Sequence, residues 1–128
     1  MAWLLIHCEA AKIEAHGLDL VACEGEIRVD LPASGEVGVG RLVHGRGAGL
    51  DKGGLRLRLG NPTLSRDHFS LFEREQRWYV RDDRSTGGTF INGELVRLTG
   101  GAAHVLVDGD KIHLGAPAYG PWAIFRSE

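Results

Sequence analysis

Glycine is the feature that most constrains this sequence, because 19 of its 128 residues are Gly and they follow no collagen-like period. Ordinary globular chains contain about 7% Gly, so the excess indicates many tight turns between short elements. The mass of 13.9 kDa is enough for one hydrophobic core and too small for two. We therefore expect a single domain, residues 1–128, in which short segments are joined by turns.

The segments between the turns alternate apolar and polar residues, which is the period of a half-buried strand. Residues 26–31 and 55–59 show this alternation most clearly. Eleven strands are predicted, over residues 3–9, 26–31, 36–40, 55–59, 68–73, 77–82, 89–91, 94–97, 104–107, 111–115 and 122–126. Short strands at this spacing favour an all-β sandwich or barrel. Residues 10–17, which are rich in Ala and end at Gly17, form the one predicted helix.

Two turns and one loop stand out among the connections. Asn92-Gly93 lies between two short strands and predicts a hairpin with a type I′ turn, whose two central residues need positive φ. Asp108-Gly109 predicts a second turn of this kind, between residues 104–107 and 111–114. Residues 42–54 contain five glycines and few apolar anchors, so we expect a mobile surface loop there.

The charge is small overall but unevenly distributed. A net charge of -2 and a pI near 6.3 argue against nonspecific nucleic-acid binding, which normally needs a strongly basic domain. Residues 1–40 hold two basic and seven acidic side chains, whereas residues 41–84 hold ten and six. The basic residues of that middle third are mainly arginines, which suit carboxylate or phosphate. Those on predicted strand faces are expected to be solvated: Arg56, Arg58, Arg74, Arg77 and Arg81.

The N-terminus and the cysteines indicate an intracellular, cytoplasmic protein with no membrane partner. The apolar residues 3–6 lack a preceding basic region and are too few for a signal peptide or a membrane span. Cys8 and Cys23 are the only cysteines, and we interpret both as reduced thiols. Because the sequence starts with Met1, we expect an intact N-terminus.

Candidate functional residues follow predicted strands. The sequence has no G-x-x-x-x-G-K-[ST], H-E-x-x-H, C-x-x-C or G-x-S-x-G motif, so nucleotide hydrolases and zinc proteases lose their usual support. Arg41, Ser65 and Thr86 instead fall in three different connections. Because a sandwich collects its loops at its two ends, these three residues are expected to meet at one of them.

Four motifs in this order resemble the forkhead-associated (FHA) family. They are G-R at residues 40–41, S-R-x-H at 65–68, D-x-x-S-T-x-G-T-F-I-N-G at 82–93 and L-x-D-G-D-x-I-x-L-G at 106–115. The resemblance covers about residues 26–126 and leaves residues 1–25 as an N-terminal strand and loop extension. It implies an FHA-like sandwich of about eleven strands that binds a threonine-phosphorylated protein or peptide through loops at one end, without cofactor, metal or catalysis.

The resemblance also implies roles for single residues. Arg41 and the Ser65 hydroxyl would bind the phosphate, Arg66 would contact phosphate or peptide backbone, and Thr86 would line the groove for the threonine methyl group. This chemistry is physically reasonable, because phosphothreonine brings about -1.5 to -2 charge and three strong acceptor oxygens. A receptor for it needs concentrated fixed donors, which an arginine, a hydroxyl and loop amides supply.

Other matched positions are implied to support the site without touching ligand, and His68 in particular would hold the loops by hydrogen bonding. The full set is Gly40, His68, Gly88, Thr89, Asn92 and Gly93. Gly87 departs from the pattern, since the family usually has an Asn there whose side chain clamps the peptide backbone. Either the Gly87-Gly88 backbone or another residue replaces that contact, or the peptide binds weakly. The Gly-rich insertion between Arg41 and Leu55 is a second departure.

Two alternatives from other functional classes stay open. An FHA-like scaffold for phosphate-independent protein contact is favoured by Gly87 and by the Gly-rich insertion. A hydrolase would use Ser65, His68 and the Asp82-Asp83 pair, which are the residue types of nucleophilic catalysis. The hydrolase is the weaker alternative, because Ser65 and His68 flank a strand start and no nucleophile elbow is present.

Overall fold

The structure, a computed structural model, is a sandwich of two β-sheets. It describes residues 1–9, 12–42, 54–96, 103–115 and 121–128. The strands described are β1 Ala2–His7, β2 Ile13–His16, β3 Leu20–Cys23, β4 Glu26–Asp30, β5 Glu36–Arg41, β6 Leu55–Leu59, β7 Phe69–Arg74, β8 Arg77–Asp82, β9 Thr89–Ile91, β10 Glu94–Val96, β11 His104–Val105, β12 Lys111–His113 and β13 Trp122–Ser127. The predicted all-β sandwich is confirmed, and each of the eleven predicted strands overlaps one of these.

The strands divide into a seven-stranded and a six-stranded sheet. Sheet A has the order β10-β9-β12-β13-β1-β4-β3, and sheet B has the order β11-β8-β7-β5-β6-β2. The inward side chains of both sheets form one hydrophobic core, which includes Ile6 and Val29 from sheet A and Val37, Leu71 and Val80 from sheet B. All five are fully buried. Alternation along each strand therefore places one face in this core and leaves the other on the surface.

The helix predicted for residues 10–17 is wrong where the structure describes it. Residues 13–16 form β2, which pairs antiparallel with β6. Ile13 is buried in the core and Glu14 faces outward, so two-residue alternation against a neighbouring strand outweighs the helix propensity of alanine. Sequence reasoning also missed β3, which forms a hairpin with β4 through Glu24 and Gly25, both at positive φ. The described residues contain no helix that could cross a membrane.

The two predicted turns have different outcomes. Asn92 and Gly93 have φ of 53° and 84°, as the type I′ turn between β9 and β10 requires. Asp108-Gly109 also forms a turn, closed by a hydrogen bond from Asp110 N to Val107 O. The predicted hairpin around it is wrong, because β11 pairs with β8 in sheet B while β12 lies in sheet A. The loop predicted for residues 42–54 falls mostly outside the described residues.

The direction of the strands brings the candidate residues to one end of sheet B. β5 and β6 run parallel, so Arg41 and Leu59 lie opposite each other where both strands finish. β7 is antiparallel to β5 and begins at this end, and β8 finishes there beside it. The β6–β7 and β8–β9 connections therefore flank the last residue of β5.

Candidate functional site

Arg41 and Ser65 are neighbours because the β6–β7 connection lies alongside the end of β5. The backbone N of Arg41 donates to Ser65 O at 2.9 Å. The Arg41 side chain is exposed, and its Nη1 lies 3.4 Å from Leu64 O. Gly40 permits this approach, since a methyl group there would overlap the carbonyl oxygen of Arg66. The connection therefore fits against β5 only where β5 has no side chain.

His68 joins the two connections from a fully buried position. Its Nδ1 accepts a hydrogen bond from Ser65 N at 3.0 Å, and its Nε2 lies 2.7 Å from Gly88 O. Because Nδ1 accepts a hydrogen bond from an amide, it carries no hydrogen. The ring hydrogen is therefore on Nε2, which donates to Gly88 O. Thr86 N in turn donates to Ser65 Oγ at 2.9 Å. Ser65 and Thr86 are therefore held next to each other by side chains.

Asp82 organises the β8–β9 connection from the end of β8. Its Oδ1 accepts hydrogen bonds from Ser85 Oγ and from Thr89 Oγ1, the latter at 2.7 Å, and its Oδ2 accepts from Ser85 N at 3.1 Å. Ser85 Oγ accepts from Gly88 N at 2.9 Å. Sequence reasoning missed Ser85 and assigned Asp82 no such role. The signal was present, since an Asp with a Ser three residues later is a common side-chain-to-backbone turn.

Arg58 is a second residue that sequence reasoning missed. It was expected to be solvated on a strand face, but it is only 4% exposed. Its Nη1 donates to Arg66 O and lies 3.5 Å from Asp67 Oδ1. The side chain is buried because it extends across β5 above Gly40, whose missing Cβ leaves the space. Arg58 therefore holds the β6–β7 connection from beneath.

Asn92 and Gly93 lie apart from these residues, beyond β9. Asn92 Nδ2 donates to Asp110 Oδ1 at 3.0 Å, and Asn92 Oδ1 accepts from Lys111 N at 2.9 Å. These side-chain hydrogen bonds of Asn92 attach the β9–β10 turn to the start of β12. They do not reach the β6–β7 or the β8–β9 connection.

Comparison with known proteins agrees with this architecture. The family model for the FHA domain matches residues 42–115, which is more than half of the chain. The chain belongs to the FHA family. FHA domains are protein-interaction modules, and dependence on phosphothreonine is characteristic of the family. The matched segment contains Ser65, Arg66 and Thr86 and begins one residue after Arg41.

Solved FHA structures resemble the chain over nearly its full length. The FhaA FHA domain in complex with the intracellular domain of Rv3910 is 22% identical, with 98% of this chain and 100% of that chain covered and a TM-score of 0.61. The FHA domain of CT664 from Chlamydia trachomatis is 13% identical, with 100% and 99% covered and a TM-score of 0.65. These two similarities show the fold.

A third FHA domain comes from a structural and functional analysis of phosphothreonine-dependent FHA domain interactions. It is 26% identical, covers 91% of this chain and 97% of that chain, and has a TM-score of 0.55. A search of curated protein sequences found no significant match.

The candidate site consists of an exposed part and a buried or half-buried part. We call the exposed residues Arg41, Arg66, Thr86 and Gly87 the rim. We call His68, Asp82, Ser85 and Thr89, which carry the hydrogen bonds described above, the bracket. Ser65 lies between the two parts. Because its hydroxyl accepts from Thr86 N and a serine hydroxyl can both accept and donate, its hydrogen can still be donated to a ligand.

The same geometry bears on the hydrolase alternative. A nucleophilic serine needs a base that hydrogen bonds its hydroxyl, and the base needs a group that orients it. Here His68 accepts from the amide of Ser65 and not from its hydroxyl, and its other ring nitrogen faces a backbone carbonyl. Both nitrogens of the ring are thus occupied in holding the two connections.

Proposed function

We propose that this chain binds threonine-phosphorylated proteins inside the cell through the rim, and that it does so without catalysis. The observation that carries the proposal is the hydrogen bond from Thr86 N to Ser65 Oγ, which sets two connections side by side next to Arg41. Arg41 supplies a guanidinium, Ser65 a hydroxyl donor and Thr86 an exposed neighbour for the threonine methyl group. Charge-assisted hydrogen bonds to phosphate oxygens are among the strong ones.

The first test is fluorescence anisotropy with three matched degenerate peptide pools that contain phosphothreonine, phosphoserine or threonine at the fixed position. We expect the phosphothreonine pool to bind most tightly and the unmodified pool not to bind. Affinity should fall below about pH 6, where the phosphate gains its second proton. Equal binding of the phosphorylated and unmodified pools would support the phosphate-independent scaffold instead.

The second test replaces the phosphate-binding arginine. Arg41→Ala should weaken phosphothreonine binding by roughly ten- to a hundredfold, because a hydrogen bond to a charged group contributes about 1.5–3 kcal/mol. Arg126→Ala is the matched control, since Arg126 is also exposed but lies near the end of β13, beside the start of β1. If Arg41→Ala bound as tightly as the wild type, the assigned site would be wrong.

A further inference from the structure

The outer face of sheet B carries a row of apolar side chains. The strand register places Val105, Tyr79 and Phe72 side by side across β11, β8 and β7. The Phe72 and Tyr79 rings are stacked with their centroids 5.5 Å apart, and Val105 is 38% exposed. The solvent-facing side of antiparallel strands such as β11, β8 and β7 is usually polar. An apolar row on that side is therefore a candidate for packing against a partner.

Arginines flank the apolar row on both sides along the strands. The Arg81 guanidinium lies 5.4 Å from the centroid of the Phe72 ring, and the Arg74 guanidinium lies 5.5 Å from it. Arg77 is exposed and lies opposite Arg74 in the β7–β8 register. Aromatic residues and arginine are the types that contribute most energy at protein interfaces.

The charge of this face is positive. The outward positions of its described strands, together with Asp83 just after β8, hold four exposed or half-buried arginines and three carboxylates: Arg56, Arg74, Arg77 and Arg81 against Glu14, Glu36 and Asp83. Burial alone would lower the pKa of Arg81, but its hydrogen bonds to Asp83 and Glu36 raise it above the ordinary value. Glu36 and Asp83 both pair with Arg81, so the excess positive charge lies at Arg74 and Arg77, which face each other where β7 ends and β8 begins. Guanidinium groups in this arrangement fit a partner that presents carboxylates.

The face is continuous with the rim through β6. Arg56 and Arg58 are two residues apart on this strand and extend across β5, above Gly38 and Gly40. A methyl group at Gly38 would overlap the Arg56 guanidinium. Arg58 reaches the carbonyl of Arg66, which is itself a rim residue. Two guanidinium groups, those of Arg56 and Arg58, therefore lie between the middle of the sheet and the site.

We propose that the outer face of sheet B is a second binding surface, which takes an acidic segment of the same partner whose phosphothreonine occupies the rim. The proposal rests on the proposed function and adds the chemistry of the partner beyond the phosphorylated residue. Nucleic acid and anionic lipid fit less well, because Glu14 and Glu36 lie on the face and the whole chain has a net charge of -2. A polyanion favours uninterrupted positive charge, whereas separate carboxylates can pair with separate arginines.

The test uses the phosphothreonine pool in three forms: short, extended by ten residues that alternate Glu and Ser, and extended by the same residues with Gln for Glu. Each extension is made on the N-terminal and on the C-terminal side, since ten extended residues span up to about 33 Å and cross the sheet either way. The variant is Arg74→Glu with Arg77→Glu. Its control is Arg126→Glu, on sheet A. Anisotropy at low salt gives the affinities, and melting temperatures check that both variants fold.

One of the Glu extensions should tighten binding to the wild type about tenfold over its Gln counterpart, as two or three exposed ion pairs would. The gain should vanish in the double variant, persist in Arg126→Glu, and fall with added salt. The short pool should bind the wild type and the double variant equally. Amide shifts in NMR spectra should appear in β7 and β8 with the Glu extension only.

Three results would overturn the second surface. They are equal binding of the Glu and Gln extensions, a gain that survives in the double variant, and displacement of the Glu-extended peptide by phosphatidylserine vesicles or single-stranded DNA at comparable affinity. Failure of the short pool to bind the wild type would instead overturn the proposed function. The two failures are therefore distinguishable.

Discussion

The rim and the bracket lie at the same end of the sandwich but are built in opposite ways. Arg41 of the rim is exposed, and its guanidinium makes a long contact, with Nη1 3.4 Å from Leu64 O. His68 and Thr89 of the bracket are each only 1% exposed and make hydrogen bonds of 2.7 Å. The residues that would meet a ligand are therefore distinct from those that fix their positions.

This difference separates the consequences of substitution. An exposed side chain with few partners can be changed at little cost in stability, typically within about 0.5 kcal/mol. A buried polar side chain leaves its partners unsatisfied when it is removed, at about 1–3 kcal/mol for each group. Substitutions in the rim should therefore affect binding alone, whereas those in the bracket should lower stability and binding together.

His68→Ala should have the largest effect. It leaves Ser65 N and Gly88 O without their partner and opens a cavity, so the free energy of unfolding should fall by about 3 kcal/mol or more. Binding of the phosphothreonine pool should weaken as well, although His68 contacts no ligand in the proposed site. Denaturant unfolding gives the stability, with His16→Ala as a control because His16 is exposed on β2. If His68→Ala had the same free energy of unfolding as the wild type, the claim that the bracket stabilises the fold would be wrong.

Gly40→Ala should have the next largest effect. The added methyl group would overlap the Arg66 carbonyl and lie 2.7 Å from Arg58 Nη1, so the β6–β7 connection must shift. Overpacking of this kind costs about 1–3 kcal/mol. Gly87→Ala is the matched control, because a methyl group at Gly87 meets nothing within 4 Å. Equal unfolding free energies for Gly40→Ala and Gly87→Ala would show that the β6–β7 connection can shift without loss of stability.

The sequence predicted more of the rim than of the bracket. Eleven of the thirteen described strands and the three connections followed from alternation and turn residues, because these are local properties of the chain. Arg58 was misjudged, since its burial depends on the glycine opposite it in β5, and that pairing is parallel and not evident from the sequence. The role of Ser85 was missed, although the turn that it forms with Asp82 is local. Residues 10–17 indicated a helix because alanine favours helices, whereas the pairing of residues 13–16 with β6 is non-local and could not be read from the segment itself.

His113 provides a pH effect that belongs to the body of the protein and not to the rim. Burial, and after it the charge of Lys111, lowers the pKa of His113 in the folded state. The unfolded chain then binds more protons as the pH falls below about 6.5, so stability decreases, by at most about 1.4 kcal/mol per pH unit. Denaturant unfolding at pH 7.5 and 5.5 should show a smaller loss for His113→Gln than for the wild type. Equal losses would assign the pH dependence to other groups.

Gly87→Asn should have the smallest effect on stability and tests the rim by a gain. The position has a backbone conformation outside the left-handed region and open space around a Cβ, so an Asn should fit with a change within about 0.5 kcal/mol. If the side-chain amide hydrogen bonds to the peptide backbone, as the usual FHA Asn is expected to do, one net hydrogen bond should tighten phosphothreonine binding roughly three- to tenfold. Calorimetric titration of Gly87→Asn against Gly87→Ala isolates the amide from the added carbon. If Gly87→Asn and Gly87→Ala bound the phosphothreonine pool with equal affinity, the peptide backbone would not pass residue 87. The peptide would then have to cross the rim on the side of Arg66.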